Sequence, residues 1–367
     1  MGKSSLRQKI GAIFYDVPRF LWAMRPPQSG THTHASWVLM HNRDERLVPS
    51  INKRGVACDW QWTSDLHIAK VFPQLGLRLM KRALRDWPIA SQHEPTTQNS
   101  QTSPALSFVI GHRGKERLPH LLATLRSIAA QRDAAFECIV VEQSISPEVK
   151  EQMPAWVRYV HTPLPDAEMP YSRAWAFNVG ARAARGHVLV LHDNDLLVPR
   201  GYAQEIVARF EGGYEAINLK RFIFYLSEVD STRAFFSGVL TPEASPTAIV
   251  QNALGGTIAV SREAYVSIGG FNESFVGWGG EDNEFWERAQ TRPSWPYGYL
   301  PFVHLWHPPQ TEKLSSERST AKLFEDLSRV PVSERIADLA SRDFGNPRST
   351  LGVGHPSPVM GQQACVE

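Results

Sequence analysis

From residue 105 onward, short apolar runs rich in β-branched and aromatic residues alternate with helical segments, and this alternation narrows the possible folds more than any other feature. The runs ALSFVI (105–110), FECIVVE (136–142) and HVLVLHD (187–193) read as strands. Between them lie RLPHLLATLRSIAA (117–130) and a helical segment at 172–185. Strands and helices at this spacing predict βαβ units and an α/β fold with a largely parallel sheet. Ligands in such sheets sit beyond the carboxyl ends of the strands, so chemistry is expected where each apolar run stops.

The flanks have a different texture. Residues 66–87 (LHIAKVFPQLGLRLMKRALRDW) carry apolar side chains at helical spacing after Pro73, whereas 90–104 is polar, rich in Ser, Thr and Gln, and aperiodic. The expected organisation is a helical extension and linker over 1–104, an α/β domain over 105–310, and a helical, then mobile, tail over 311–367. The apolar stretch 10–24 is broken by Asp16, Pro18 and Arg19, too short to cross a bilayer or to serve as a signal-peptide core. Three cysteines, Cys58, Cys138 and Cys365, show no paired spacing, which fits a reducing compartment; a cytoplasmic protein is expected. Lys3, Arg7, Lys9, Arg19 and Arg25 flank the apolar stretch and leave peripheral contact with an anionic membrane open, beside the plainer reading of an ordinary first helix. Thirty-nine Lys and Arg balance 37 Asp and Glu, too even for a dedicated nucleic-acid binder.

Three clusters carry the chemistry. The strand at 187–193 runs into Asp193, Asn194 and Asp195, and two carboxylates at the end of a buried strand call for a nearby cation, with a divalent metal as the economical answer and a solvated Asx turn as the bland one. The segment GWGGEDNEFWE (277–287) places Glu281 and Asp282 at a helix start, where they serve as caps or as functional acids. Trp278 beside them suits the apolar face of a sugar. The run VHLWHP (303–308) ends in His304 and His307, which are either packed histidines or ligands for a transition metal such as Mn²⁺, better suited to imidazole than Mg²⁺ is.

In this order the clusters resemble the nucleotide-sugar transferases of the GT-A fold, in particular the β-1,4-galactosyltransferase family and related bacterial family-2 enzymes. The matching residues are Ser172-Arg173-Ala174, Asn178-Val179-Gly180, Asp193-Asn194-Asp195, Gly255-Gly256, Gly269-Gly270-Phe271 and Gly277-Trp278-Gly279-Gly280-Glu281-Asp282. The likeness spans roughly residues 105–308 and leaves both flanks uncovered. At Gly111-His112 the chain departs from the family's usual Pro-Phe, which bears on the uracil contacts.

The resemblance implies a UDP-sugar donor, a glycan or lipid-linked glycan acceptor, and Mn²⁺ or Mg²⁺ held by Asp195 with His307 and His304. It implies that Asp193 lies near the ribose and metal, that Arg113 and Arg173 contact the diphosphate, and that Asp282 is the base with Glu281 orienting the acceptor. Gly256 and Trp278 would complete the donor and acceptor surfaces. The implied reaction is an inverting transfer from an α-linked donor to a β-linked product. In the family a bulky residue two places before the Gly-Gly pair limits room at the donor's C2; here Ala253 stands there, so an N-acetylhexosamine would fit with Asn252 as a hydrogen-bond partner for its acetyl group, the plainer reading being a small residue packed under the sheet. The rival readings are a retaining transferase of the N-acetylgalactosaminyl type, a metallohydrolase, and an inactive nucleotide-binding partner.

Overall fold

A computed structural model describes residues 5–25, 36–60, 63–96, 103–164, 166–241, 243–309 and 320–346. Its centre is a seven-stranded sheet in the order Ser294–Trp295, Ala216–Ile217, Thr257–Ser261, Val188–His192, Leu106–His112, Phe136–Ser144, Val157–Pro163. The last four are mutually parallel, as the βαβ reading predicts, while Thr257–Ser261 runs antiparallel to Val188–His192. Every residue of Leu106–His112 and Val188–His192 is buried, because the sheet is covered on both faces and these strands need not alternate polar with apolar.

One face of the sheet is covered by the helix Arg173–Ala183, whose N-terminus is capped by the Ser172 hydroxyl. A Cβ at Gly180 would lie 2.2 Å from Val109 Cγ1, so the helix seats on the strand only with glycine there. The other face packs against a second, five-stranded sheet in the order Ser64–Asp65, Pro246–Gln251, Lys220–Leu226, Leu300–His304, Leu196–Leu197. Phe108, Ile110 and Val190 from the first sheet and Phe222, Phe224 and Phe302 from the second share one apolar core.

The N-terminal segment is helical at Leu6–Ala23, His67–Val71 and Pro73–Asp86, and it also carries the hairpin Arg46–Pro49/Val56–Asp59. Its Trp37, Met40, Leu66, Leu79 and Met80 belong to the same core as the sheets, so residues before and after 104 are packed as one body. Arg221, buried in the second sheet, clinches this: it donates to the carbonyls of Val38 and Met40 and to Gln251 Oε1. Within the expected linker, Gln92 N–H donates to Arg126 O and Trp156 Nε1 to His93 O; its residues 97–102 lie outside the described residues.

Helices Ala321–Ser328 and Val332–Ala340 pack on the helix Glu281–Ala289, with Arg335 reaching Glu284 and Glu287. Gly345 N–H donates to Glu273 Oε1. The expected mobile end, 347–367 with Cys365, and the segment 310–319 lie outside the described residues.

Candidate active site

The three clusters meet where the parallel strands end. Asp195 follows the central strand Val188–His192. The pairing of Leu300–His304 with Leu196–Leu197 sets His304 opposite Leu196, and Leu305 N–H donates to Asp195 O. The result places His304 Nε2 3.5 Å from Asp195 Oδ1 and His307 Nε2 3.5 Å from Asp195 Oδ2. One ligand atom from each of the three residues lies within 4.8 Å of the others. His304 is stacked on Tyr225 with ring centroids 4.3 Å apart, and His307 Nδ1 faces Pro308 O at 2.6 Å, which turns its Nε2 toward the carboxylate.

Asp195 Oδ1 is buried and accepts no hydrogen bond, an orphaned acceptor of the kind a cation would satisfy. One carboxylate and two imidazoles form a donor set that suits Mn²⁺. Burial acts to raise the Asp195 carboxyl, but His304, Arg117 and His307 outweigh it and hold the group well below the usual carboxylate range. Burial, then Arg117, lowers His307 against the pull of Asp195.

Arg117 carries no signal of its own in the sequence, and the resemblance points to Arg113, four residues earlier. Its guanidinium donates to Asp195 Oδ2 and, at 3.2 Å, to Asn194 Oδ1. Arg113 instead holds the neighbouring loop, donating to the carbonyls of Met169 and Ala167.

Arg173 ties the second cluster to the first. Its Nε donates to Asp193 Oδ1 at 2.7 Å, its Nη1 to Asp282 Oδ1 at 2.5 Å, and Nη1 lies 3.6 Å from Glu281 Oε1. The guanidinium also rests over Phe177, 4.6 Å from the ring centroid. Burial would lower its proton affinity, yet Asp193, Asp282 and Glu281 raise it well above the ordinary value, so the group stays cationic. Asp193 thus faces Arg173, with the Asp195 charge also acting on it; its backbone N–H donates to Gly256 O at 2.8 Å.

The WGG turn delivers the acids. Gly280, at φ 85°, caps the helix Glu281–Ala289, and Gly279 N–H donates to Glu281 Oε2. A Cβ at Gly255 would lie 2.3 Å from Asp282 Oδ2, so the carboxylate occupies space that only glycine leaves open. Trp278 is 41 % exposed on the rim of this turn, and Thr320 donates to the carbonyls of Trp278 and Gly279 from outside it. Lys220, also not picked out in the sequence, is buried beneath the acids and donates to Thr257 O and Leu254 O. Burial pushes it down to about 7 against the pull of Asp282 and Asp193. Asn252, at φ 59°, directs its amide to Trp60 O, so the N-terminal segment engages the group expected to reach a donor N-acetyl.

Burial, then the adjacent Asp282, pushes the Glu281 carboxyl from 4.5 up to about 7 against the pull of Arg173. Because the folded value exceeds the unfolded one, the folded state binds the extra proton between these limits, and stability falls as pH rises through that window. Glu281→Gln should match the parent below about pH 4.5 and be more stable above about pH 8, by on the order of 3 kcal/mol. Urea titrations at the two pH values measure this; equal pH dependence of the two proteins would refute the raised carboxyl.

Family models, curated proteins and solved structures each resemble part of this chain. The family model described as glycosyl transferase family 2 matches residues 115–260, which include Asp193–Asp195, and that described as the N-terminal domain of galactosyltransferase matches 242–293, which include Gly255 and the acidic turn. Beta-1,4-galactosyltransferase 7 of Mus musculus and that of Homo sapiens are each 34% identical over 96 residues, 24% of this chain and 29% of theirs. The chain therefore spans less than a third of the length of these curated relatives. Among solved structures, a mannosyltransferase of Pyrobaculum calidifontis in complex with GDP-Man and Mn²⁺ is similar at 17% identity and a TM-score of 0.42, covering 73% of this chain and 75% of that one. The catalytic domain of Drosophila beta1,4galactosyltransferase 7 in complex with xylobiose is similar at 17% identity and a TM-score of 0.30, covering 55% and 71%. The chain is thus similar to family-2 glycosyltransferases over 115–260 and to galactosyltransferases over 242–293, on an α/β fold whose strand ends carry the site. The two matched stretches overlap at 242–260, between the Asp193–Asp195 strand end and the acidic turn.

Proposed function

We propose that the protein is a metal-dependent inverting transferase that moves a hexose or N-acetylhexosamine from a UDP-sugar to a hydroxyl of a free or lipid-linked glycan. The observation that carries this reading is the juxtaposition of Asp195, His304 and His307 with two acids, Glu281 and Asp282, joined to the same strand end through Arg173. Asp195, His304 and His307 would hold Mn²⁺, which when bound supplies positive charge for the departing diphosphate.

The chain's own groups account for the rest. Arg173 occupies Asp282 Oδ1 and leaves Oδ2, beside the side-chain-free Gly255, to meet an acceptor hydroxyl. The hydroxyl oxygen bonds the anomeric carbon as the carbon–oxygen bond to the diphosphate breaks, and its proton passes to Asp282. Attack from the face opposite the leaving group inverts the centre. Trp278 offers its exposed face to the acceptor sugar, and Glu281 orients it. Arg113, through the loop it holds, and Gly256, through Asp193, shape the donor side.

A screen of UDP-sugars against a glycan panel tests this, with Mn²⁺-stimulated UDP release as readout and product anomeric configuration by NMR. A β-linked product from an α-linked donor is expected. Release of sugar or phosphate without an acceptor would instead indicate a hydrolase, and an α-linked product a retaining enzyme. In the same assay Ala253→Tyr should favour UDP-Gal over UDP-GalNAc by about tenfold relative to the parent, since the added ring fills the room beside C2. An unchanged donor preference would mean that residue 253 does not read the sugar.

A further inference from the structure

We propose that the helix Leu6–Ala23 docks the protein onto the surface of an anionic lipid bilayer. A capping box of Ser5 with Gln8 starts the helix, and only one face of it meets the body. That face is Ala12, Asp16, Phe20 and Ala23, with Asp16 bonded to His67 Nδ1 at 2.8 Å. The opposite face carries Leu6, Ile10, Phe14 and Leu21, spaced so that they form one outward stripe, with Ile13 and Trp22 at its borders. Leu6 is 74 % exposed, Phe14 72 % and Leu21 59 %. Single exposed apolar residues need no explanation; a contiguous stripe along one helix marks an interaction surface.

The charges around the stripe identify what covers it. Arg7 and Lys9 stand exposed in the first turn, and Arg25 follows the last. The Arg43 guanidinium lies 4.3 Å over the Tyr15 ring, alongside the helix. The helix's one acid, Asp16, is buried and paired, so the outward surface is apolar and purely cationic. A second copy of the chain would set like charges against each other, whereas an anionic headgroup layer complements them and receives the apolar stripe. Trp22 and Tyr15, apolar with a polar tip, suit the headgroup boundary. No described helix is long and apolar enough to cross a membrane, which fits a helix lying in the surface plane.

The test is sedimentation of the full chain with vesicles of phosphatidylglycerol and phosphatidylcholine in equal parts, and of phosphatidylcholine alone. Binding to the anionic vesicles is expected, weakened by raising salt from roughly 0.1 to 1 M. The double variant Ile10→Glu/Phe14→Glu should lower partitioning by about tenfold or more, as should Arg7→Glu/Lys9→Glu. All four side chains are exposed, so circular dichroism and thermal unfolding should match the parent and show that the variants fold. Absence of vesicle binding, equal binding to both lipids, or binding that the variants leave intact overturns the proposal. Concentration-dependent self-association abolished by Ile10→Glu/Phe14→Glu, without vesicle binding, would assign the face to a second copy instead.

Discussion

Asp282→Asn is expected to leave UDP-sugar binding nearly unchanged and to lower turnover by about two to four orders of magnitude, the range for a lost general base. The substitution is close to isosteric: the remaining carbonyl oxygen still accepts from Arg173, and the glycine at 255 still makes room for the other atom. What disappears is the capacity to take a proton from the acceptor as its oxygen attacks. Isothermal titration with the donor and single-turnover transfer separate the two effects. Near-normal turnover in a folded Asp282→Asn protein would remove Asp282 from the role, and loss of donor binding would show instead that the residue builds the nucleotide side.

The second large effect is expected at the metal ligands. Excess chelator should abolish transfer and Mn²⁺ should restore it. His307→Ala should weaken Mn²⁺ binding and donor binding together by about two orders of magnitude or more, the loss of a mere outer hydrogen-bond partner costing about 10–100-fold. Asp195→Ala should do at least as much, but it also takes the carboxylate from the Arg117 guanidinium and leaves it only Asn194 Oδ1, which costs stability as well. Asp195→Asn keeps the volume and a polar partner for Arg117 while removing the anionic ligand, and is the better variant. Mn²⁺ electron paramagnetic resonance reads the binding directly, without turnover. Full activity in chelator, or unaltered Mn²⁺ binding by Asp195→Asn, would overturn the ligand assignment.

The parts of the site legible in the sequence are those specified by neighbours along the chain. An apolar run ending in Asp193-Asn194-Asp195 is a strand that stops in acid, and Trp278-Gly279-Gly280-Glu281-Asp282 is a turn with left-handed backbone that opens a helix. His304 and His307 were legible as candidates because they also end an apolar run. Their link to Asp195 depends on Leu300–His304 pairing with Leu196–Leu197 across the second sheet, and no local pattern encodes that register.

Three of the four parallel strands, the helices between them, and the acids and histidines at the strand ends were determined by the sequence alone, because periodicity and turn chemistry act over a few residues; the fourth, Val157–Pro163, half exposed at the sheet edge, carries no continuous apolar run. Tertiary structure decided which cation serves which acid. Arg113 and Arg117 stand four residues apart in one loop, yet only Arg117 reaches Asp195, and Arg173 meets Asp193 and Asp282 together. It also decided that the N-terminal segment is part of the body, since Ser64–Asp65 adds to the second sheet and Arg221 binds the carbonyls of Val38 and Met40. The physical reason is that a buried charge is satisfied by whichever partner the packing brings within hydrogen-bond reach, and reach depends on the folded path of the chain rather than on distance along it.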